Sequence, residues 1–189
     1  MEPYDIIVQG ISIIAMILII LSYQFKTQRG ILIMQLLGAT LFAVHFLMLG
    51  AYVGGILNIA AVMRAIVFSN RDKFRAGNIW WTVFFCLGFG AAYVLTFTVF
   101  GTAATFGNFV IELLPVIGMI IMTFAFAGDD AKKIRVLGLV NSPCWLIYNL
   151  FNLSIGGILC ETFSLISITS AFIRIDMKEM KEKKRGSDL

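Results

Sequence analysis

Four polar and aromatic residues recur at helical spacing within one strongly apolar stretch of the chain. They are Asn141, Trp145, Asn149 and Asn152, which fall on one face of an α-helix. Because hydrocarbon offers amide side chains no hydrogen-bond partners, this stripe should face the protein interior or a water-filled cavity. An indole face stacks on a ring, and an amide both donates and accepts hydrogen bonds. Asn141, Trp145 and Asn149 are therefore predicted to bind an uncharged, ring-containing solute, with interhelical hydrogen bonding as the alternative.

Four further polar residues lie in other apolar stretches. Asn58 stands among glycines and alanines and is predicted to line the same pocket, with helix packing as the alternative. Glu161 is costly inside a bilayer, so it stays neutral, pairs with a cation or titrates during transport. Arg64 could pair with Glu161, but extension of its side chain toward the cytoplasmic surface is the favoured interpretation. His45 is a candidate pocket hydrogen-bonder or proton sensor, with a packed neutral imidazole as the alternative.

The composition excludes a soluble globular domain. Of the 189 residues, 59% are hydrophobic, and the mean hydropathy is +0.90. The three cysteines are odd in number and form no CxxC, and the chain has a single histidine, so neither a disulfide framework nor a metal site is predicted. No catalytic residue, cofactor or nucleic-acid partner is predicted either, because nucleotide-binding motifs and paired intramembrane carboxylates are missing from the sequence.

Seven apolar runs divide the chain, and each is about long enough to cross a hydrocarbon core that needs roughly 17 to 25 helical residues. The predicted spans are residues 6–23, 31–49, 52–69, 79–100, 109–127, 134–151 and 156–175. Of the 15 basic residues, 14 lie in alternate connections or at the C-terminal end. By the positive-inside rule, the N-terminus is therefore predicted outside and the C-terminus inside.

Short motifs recur in the two halves of the chain. Leu-Gly at 37–38 recurs at 137–138, and Gly-Gly-Ile-Leu at 54–57 recurs at 156–159. Each half holds three spans of the same orientation, which a single remaining span would join. The predicted fold is thus all-α, with two parallel triple-helix bundles in a 3+1+3 order. Its parts are a first bundle at 1–78, a linker helix at 79–100, a second bundle at 101–175 and a charged cytoplasmic tail at 176–189.

This arrangement resembles the SWEET, SemiSWEET and PQ-loop transporters and the PnuC-type vitamin transporters. The segment Trp-Leu-Ile-Tyr-Asn at 145–149 is similar to the Trp-x-x-Tyr-Gly pattern of SemiSWEET-like repeats, and Asn58 is similar to their substrate-facing asparagine. The chain departs from those families where Asn149 replaces glycine and where Cys160 and Glu161 stand in place of the second asparagine. The proline set of sugar transporters is also incomplete, with Pro115 and Pro143 in the second half only.

As a whole, the sequence resembles the bacterial inner-membrane proteins of the YgjV family. That resemblance implies an inner-membrane location, but it does not indicate any particular activity. From the residues we predict a transporter for a small polar solute such as a sugar, nucleoside or vitamin precursor. A non-transporting receptor or assembly scaffold is the main alternative, and a membrane-embedded enzyme is the lesser one. The predicted partners are the solute and the lipid bilayer, with the basic tail near anionic lipid. The sequence leaves open whether the protein forms a homo-oligomer.

Overall fold

The computed structural model describes residues 3–48, 52–99, 101–151, 155–178 and 180, which are helical apart from short connections. The elements are α1 (Pro3–Ser22), α2 (Gln28–Met48), α3 (Tyr52–Ser69), α4 (Arg71–Phe74), α5 (Ile79–Thr98), α6 (Phe106–Ala127), α7 (Ala131–Phe151) and α8 (Ile155–Ala171), which a π-helical turn (Phe172–Asp176) continues. Among these residues there is no β-strand, so the all-α prediction is confirmed.

The long helices coincide with the seven predicted apolar runs, although the predicted ends at Leu49 and Phe100 lie outside the described residues. Four described segments are long and apolar enough to cross a membrane: Gln28–Met48, Ile79–Thr98, Phe106–Ala127 and Gly156–Asp176. The apolar parts of α1 and α3 are shorter, and α7 carries three basic residues in its first turns. The count of seven spans therefore stays a prediction.

The helices pack as two sequential groups. Helix α2 lies between α1 and α3, and α7 lies between α6 and α8. The groups meet where α1 packs on α8, α3 on α6, and α2 on α7, while α5 packs against α3 and α6. The outer faces expose large aliphatic side chains such as Ile13, Ile14 and Ile17 of α1. Apolar side chains on the outside, around a core that includes Phe68, are typical of helices that face lipid.

The connections that carry the basic residues meet at one end of the helices, which we call the basic end. It comprises residues 23–27, 70–78, 128–130 and the π-helical turn. Gln28 at the start of α2 donates to the carbonyl oxygens of Phe126 and Gly128, at 2.7 and 2.5 Å. Arg71 donates to the carbonyl of Ala127 at 2.8 Å and also to that of Gly128. The last carbonyls of α6 therefore find side-chain donors from the other half of the chain.

A buried ion pair joins three segments at the basic end. The Arg135 guanidinium in α7 donates from Nε and Nη2 to both carboxylate oxygens of Asp176, at 2.7 and 2.5 Å. Its Nη1 donates to the carbonyl of Phe25 at 2.8 Å. The two side chains are only 2% and 1% exposed, and they form the one ion pair found among the described residues. Bidentate geometry and the third hydrogen bond offset much of the cost of burying these charges.

The repeated Gly-Gly-Ile-Leu motif makes the same kind of helix contact in both halves of the chain. A methyl group built on Gly55 would meet Leu47, and one built on Gly157 would meet Asn149. In each case the neighbour lies eight residues earlier, on the preceding helix. Small residues at these positions let α3 approach α2 and let α8 approach α7.

The other repeat has no such counterpart. Gly38 of α2 faces Ile19 of α1, whereas Gly138 of α7 faces Ile168 of α8 and the Tyr23 ring. If the two groups were strict repeats, α6 would correspond to α1, and Gly138 would therefore face α6. The Leu-Gly match at 37–38 and 137–138 is therefore not a repeat of contacts.

The ion pair gives the first prediction. Asp176→Ala leaves a guanidinium buried without its counter-charge, so the free energy of unfolding should fall by about 3 to 5 kcal/mol. The double variant Arg135→Met with Asp176→Leu removes both charges and should recover most of that loss. Equilibrium unfolding in mixed detergent micelles measures both. Lys178→Ala, at an exposed position of the same end, is the control, and an equal effect of Asp176→Ala and Lys178→Ala would contradict a structural role for the pair.

Candidate functional site

A cavity of about 170 Å³ lies between the two helical groups. It receives side chains from α1, α2 and α3 on one side and from α6, α7 and α8 on the other, and none from α5. Six of the seven predicted site residues line it: Asn58, Arg64, Asn141, Trp145, Asn149 and Glu161. That these residues bind a solute stays a prediction, but the chain does bring them together.

The polar stripe of α7 faces the cavity along Asn141, Trp145 and Asn149. Its fourth member, Asn152, lies outside the described residues. The Asn141 side chain is only 9% exposed, and its Oδ1 has no hydrogen-bond partner among the described residues. A buried amide oxygen without a donor is costly, so this atom is a candidate contact for a ligand or a water molecule.

Gly118 of α6 makes room for this stripe. A methyl group built on it would stand 2.6 Å from Asn141 Oδ1 and 3.2 Å from the Trp145 indole. The amide and the indole therefore lie directly against the backbone of α6. Pro115 in α6 and Pro143 in α7 interrupt the helical hydrogen bonds near the same level, so both helices can bend beside the cavity.

Glu161 and Asn58 reach the cavity from α8 and α3, which come from opposite groups. Glu161 is half-buried, and Ser142 of α7 faces its carboxyl group. Cys160, the preceding residue, is buried and also lines the cavity. The carboxyl group thus stands close to the polar stripe of α7. The sequence identifies Glu161 as a candidate site residue but does not show which helix its side chain approaches.

Arg64 is buried, and the expectation that its side chain extends to the cytoplasmic surface is wrong. Only 5% of the residue is exposed, and Nη1 donates to the carbonyl of Met119 at 2.7 Å and to Thr123 Oγ1 at 3.1 Å. The guanidinium carbon lies 5.4 and 4.8 Å from the ring centres of Phe89 and Phe126, within the range of cation–π attraction. Arg64 does not pair with Glu161 in this conformation, although both line the cavity.

His45 is the predicted site residue that does not line the cavity. Its Nδ1 lies 2.9 Å from the carbonyl oxygen of Val8, which fixes α2 to α1. The imidazole also packs edge-on against Phe46 and Phe42, at centre distances of 5.3 and 6.4 Å. The geometry matches the packed imidazole that the sequence left as an alternative.

From α2 the sequence reasoning named only His45, and it missed the residues of this helix that do line the cavity. Gln35, Ala39, Phe42 and Phe46 line it at helical spacing, and Tyr23 closes it near the basic end. A glutamine at position 35, within an apolar run, was the available signal for this face. Phenylalanine carries no such signal, because the chain has 17 of them.

Taken together, the lining offers aromatic faces, amide groups and one carboxyl group within a small volume. An apolar cavity of roughly 150 Å³ holds one benzene ring, so the present cavity has room for a solute built on a single ring. No group of three metal-binding side chains is found in the part of the chain that the structure describes. The arrangement is suited to binding a small ring compound by stacking and hydrogen bonds.

The contact at Gly118 gives the second prediction. Gly118→Ala must displace the Asn141 amide and the Trp145 indole, which should lower the free energy of unfolding by about 1 to 3 kcal/mol. Gly88→Ala on α5 is the matched control, since a methyl group there meets nothing within 4 Å. Equilibrium unfolding in mixed micelles compares the two variants. If Gly118→Ala were tolerated as well as Gly88→Ala, the stripe could not lie against α6 as described.

Comparison with known proteins identifies the family. The model of the bacterial inner membrane protein family Imp-YgjV matches residues 6–179. The chain is 26% identical over 180 residues to the inner membrane protein YgjV of Escherichia coli (strain K12), which covers 95% of this chain and 88% of that protein. No solved structure matches it. The resemblance and the location predicted from the sequence are thus confirmed: the chain belongs to the Imp-YgjV family of bacterial inner membrane proteins and is a multi-pass protein of that membrane.

Proposed function

We propose that the protein transports a small polar solute across the inner membrane by alternating access. The observation that carries this proposal is the cavity between the two helical groups, into which Asn141, Trp145 and Glu161 project. Polar groups inside a bilayer are expensive, and they tend to mark a solute or ion pathway. An assembly scaffold needs the helices but not such a cavity.

The proposal includes the 3+1+3 arrangement of seven spans. Helices α1, α2 and α3 form the first bundle, α6, α7 and α8 form the second, and α5 is the linker. Packing of α1 on α8, of α3 on α6 and of α2 on α7 supports a two-fold relation between the bundles. The N-terminus lies outside and the basic end inside, where exposed basic residues such as Lys133 contact anionic lipid. Residues 181–189 of the predicted cytoplasmic tail lie outside the described residues.

In the proposed cycle, the bundles rock against each other and open the cavity first to one side and then to the other. The second bundle has a proline inside each of α6 and α7, at Pro115 and Pro143. Interior prolines allow bending because each removes a helical hydrogen bond. The bending would therefore occur mainly in the second bundle, next to Asn141 and Trp145.

Solute binding to these residues gives the third prediction. Detergent-purified protein is screened by thermal shift against single-ring sugars, nucleosides and vitamin precursors at millimolar concentration. A ligand that binds only the folded state, at 100 times its dissociation constant, adds about 2.7 kcal/mol to the stability. We expect Trp145→Ala and Asn58→Ala each to abolish the shift, because the two residues line the cavity from opposite bundles.

Trp80→Ala is the matched control, since Trp80 is 71% exposed and is not among the residues that line the cavity. A ligand whose thermal shift is the same in the wild type and in both Trp145→Ala and Asn58→Ala would bind outside the cavity. Absence of any hit, with both variants as stable as the wild type, would favour the receptor or scaffold. Uptake into proteoliposomes then tests whether a bound solute is carried across.

A further inference from the structure

The two charged side chains that line the cavity differ in how far they are available to a solute. The Arg64 guanidinium is held by Met119 and Thr123 of α6 and lies over the rings of Phe89 and Phe126. These contacts hold its positive charge against α5 and α6, and of these two helices only α6 lines the cavity. Nε is the guanidinium nitrogen without a partner among the described residues, so Arg64 is less available to a solute than a free guanidinium would be.

Glu161 is in the opposite situation. It is half-buried and lines the cavity, and it has no cationic partner within 4.0 Å among the described residues. Asn141 lies beside Ser142, which faces the Glu161 carboxyl group, and the Asn141 Oδ1 also lacks a donor. A carboxyl group from α8 and an amide side chain from α7 therefore line the same cavity, and the oxygens of both accept hydrogen bonds.

Aromatic side chains share the cavity with these acceptors. Trp145, Tyr23, Phe42 and Phe46 all line the same cavity. The face of an aromatic ring attracts a cation, and rings combined with oxygen acceptors are the chemistry that recognises an ammonium group.

We propose that the solute is a small organic cation: a protonated amine attached to a single ring, with its ammonium group donating to Glu161. This inference rests on the proposed function, and it specifies the class of solute. The volume of about 170 Å³ limits the solute to one ring with a short amine-bearing arm in this conformation. Charge neutralisation by the bound amine would also lower the cost of an ionised Glu161 inside the bilayer.

The test compares three probes of nearly equal size, which differ in charge: benzylamine, benzyl alcohol and benzoate. Binding to the purified wild-type protein is measured by isothermal titration calorimetry at pH 7. We expect benzylamine to bind at least tenfold more tightly than benzyl alcohol, and benzoate to show no binding. This comparison needs no variant, so it does not depend on the folding of a mutant.

Glu161→Gln then tests the assigned group. It should weaken benzylamine binding by about 10- to 100-fold and leave benzyl alcohol unchanged, because only the charge-assisted contact is lost. Glu112→Gln is the matched control: Glu112 contacts Tyr148, and neither is among the residues that line the cavity. It should leave the binding of both probes unchanged.

Three outcomes would overturn the inference. Equal binding of benzyl alcohol and benzylamine to the wild type would make the solute neutral and leave the proposed function standing. If each bound benzyl alcohol is accompanied by the uptake of one proton, detected by titrating in buffers of different ionisation enthalpy, the cation that binds to Glu161 is a proton and not the solute. If no probe binds, the amine class is wrong, and only failure of the whole thermal-shift panel would also contradict the proposed function.

Discussion

Inside a bilayer, a polar side chain must find its partners within the protein, because no water is there to supply them. This constraint explains the polar contacts that join the helices of this protein. Arg64 donates to Met119 and Thr123, and His45 binds the carbonyl of Val8. The Asn141 amide oxygen and the Nε of Arg64 are exceptions, since both atoms are buried and have no partner among the described residues. An exception of this kind is what a ligand site requires.

The two ends of the polar network play different parts. At the basic end, Arg135 and Asp176 are paired completely, and Gln28 and Arg71 donate to the final carbonyls of α6. These contacts join segments that are far apart in the chain. The cavity, by contrast, is bordered by Gly118 and by helices with interior prolines, where bending costs less. A cycle of alternating access would have to break the contacts at the basic end and use the flexibility of the helices around the cavity.

The sequence predicts the helices and one side of the cavity well, because both leave local patterns. Apolar runs of sufficient length mark the long helices, and the spacing of Asn141, Trp145 and Asn149 marks a helix face. Contacts between distant segments leave no such pattern. The partners of Arg64 lie 55 and 59 residues further along the chain, so its burial could not be predicted. In the sequence, Arg135 and Asp176 stand out only as charges near helix ends, and nothing in their spacing indicates that they meet.

The central claim, that the cavity opens to both sides of the membrane, can be tested without knowing the solute. Cys160 lines the cavity and is only 5% exposed, whereas Cys86 lies on α5, which contributes nothing to the lining. A protein that keeps Cys160 alone is treated with a membrane-impermeant thiol reagent from either face of oriented vesicles. Alternating access predicts labelling of Cys160 from both faces, and none of a control that keeps Cys86 alone. Labelling of Cys160 from one face only, or from neither, would contradict it.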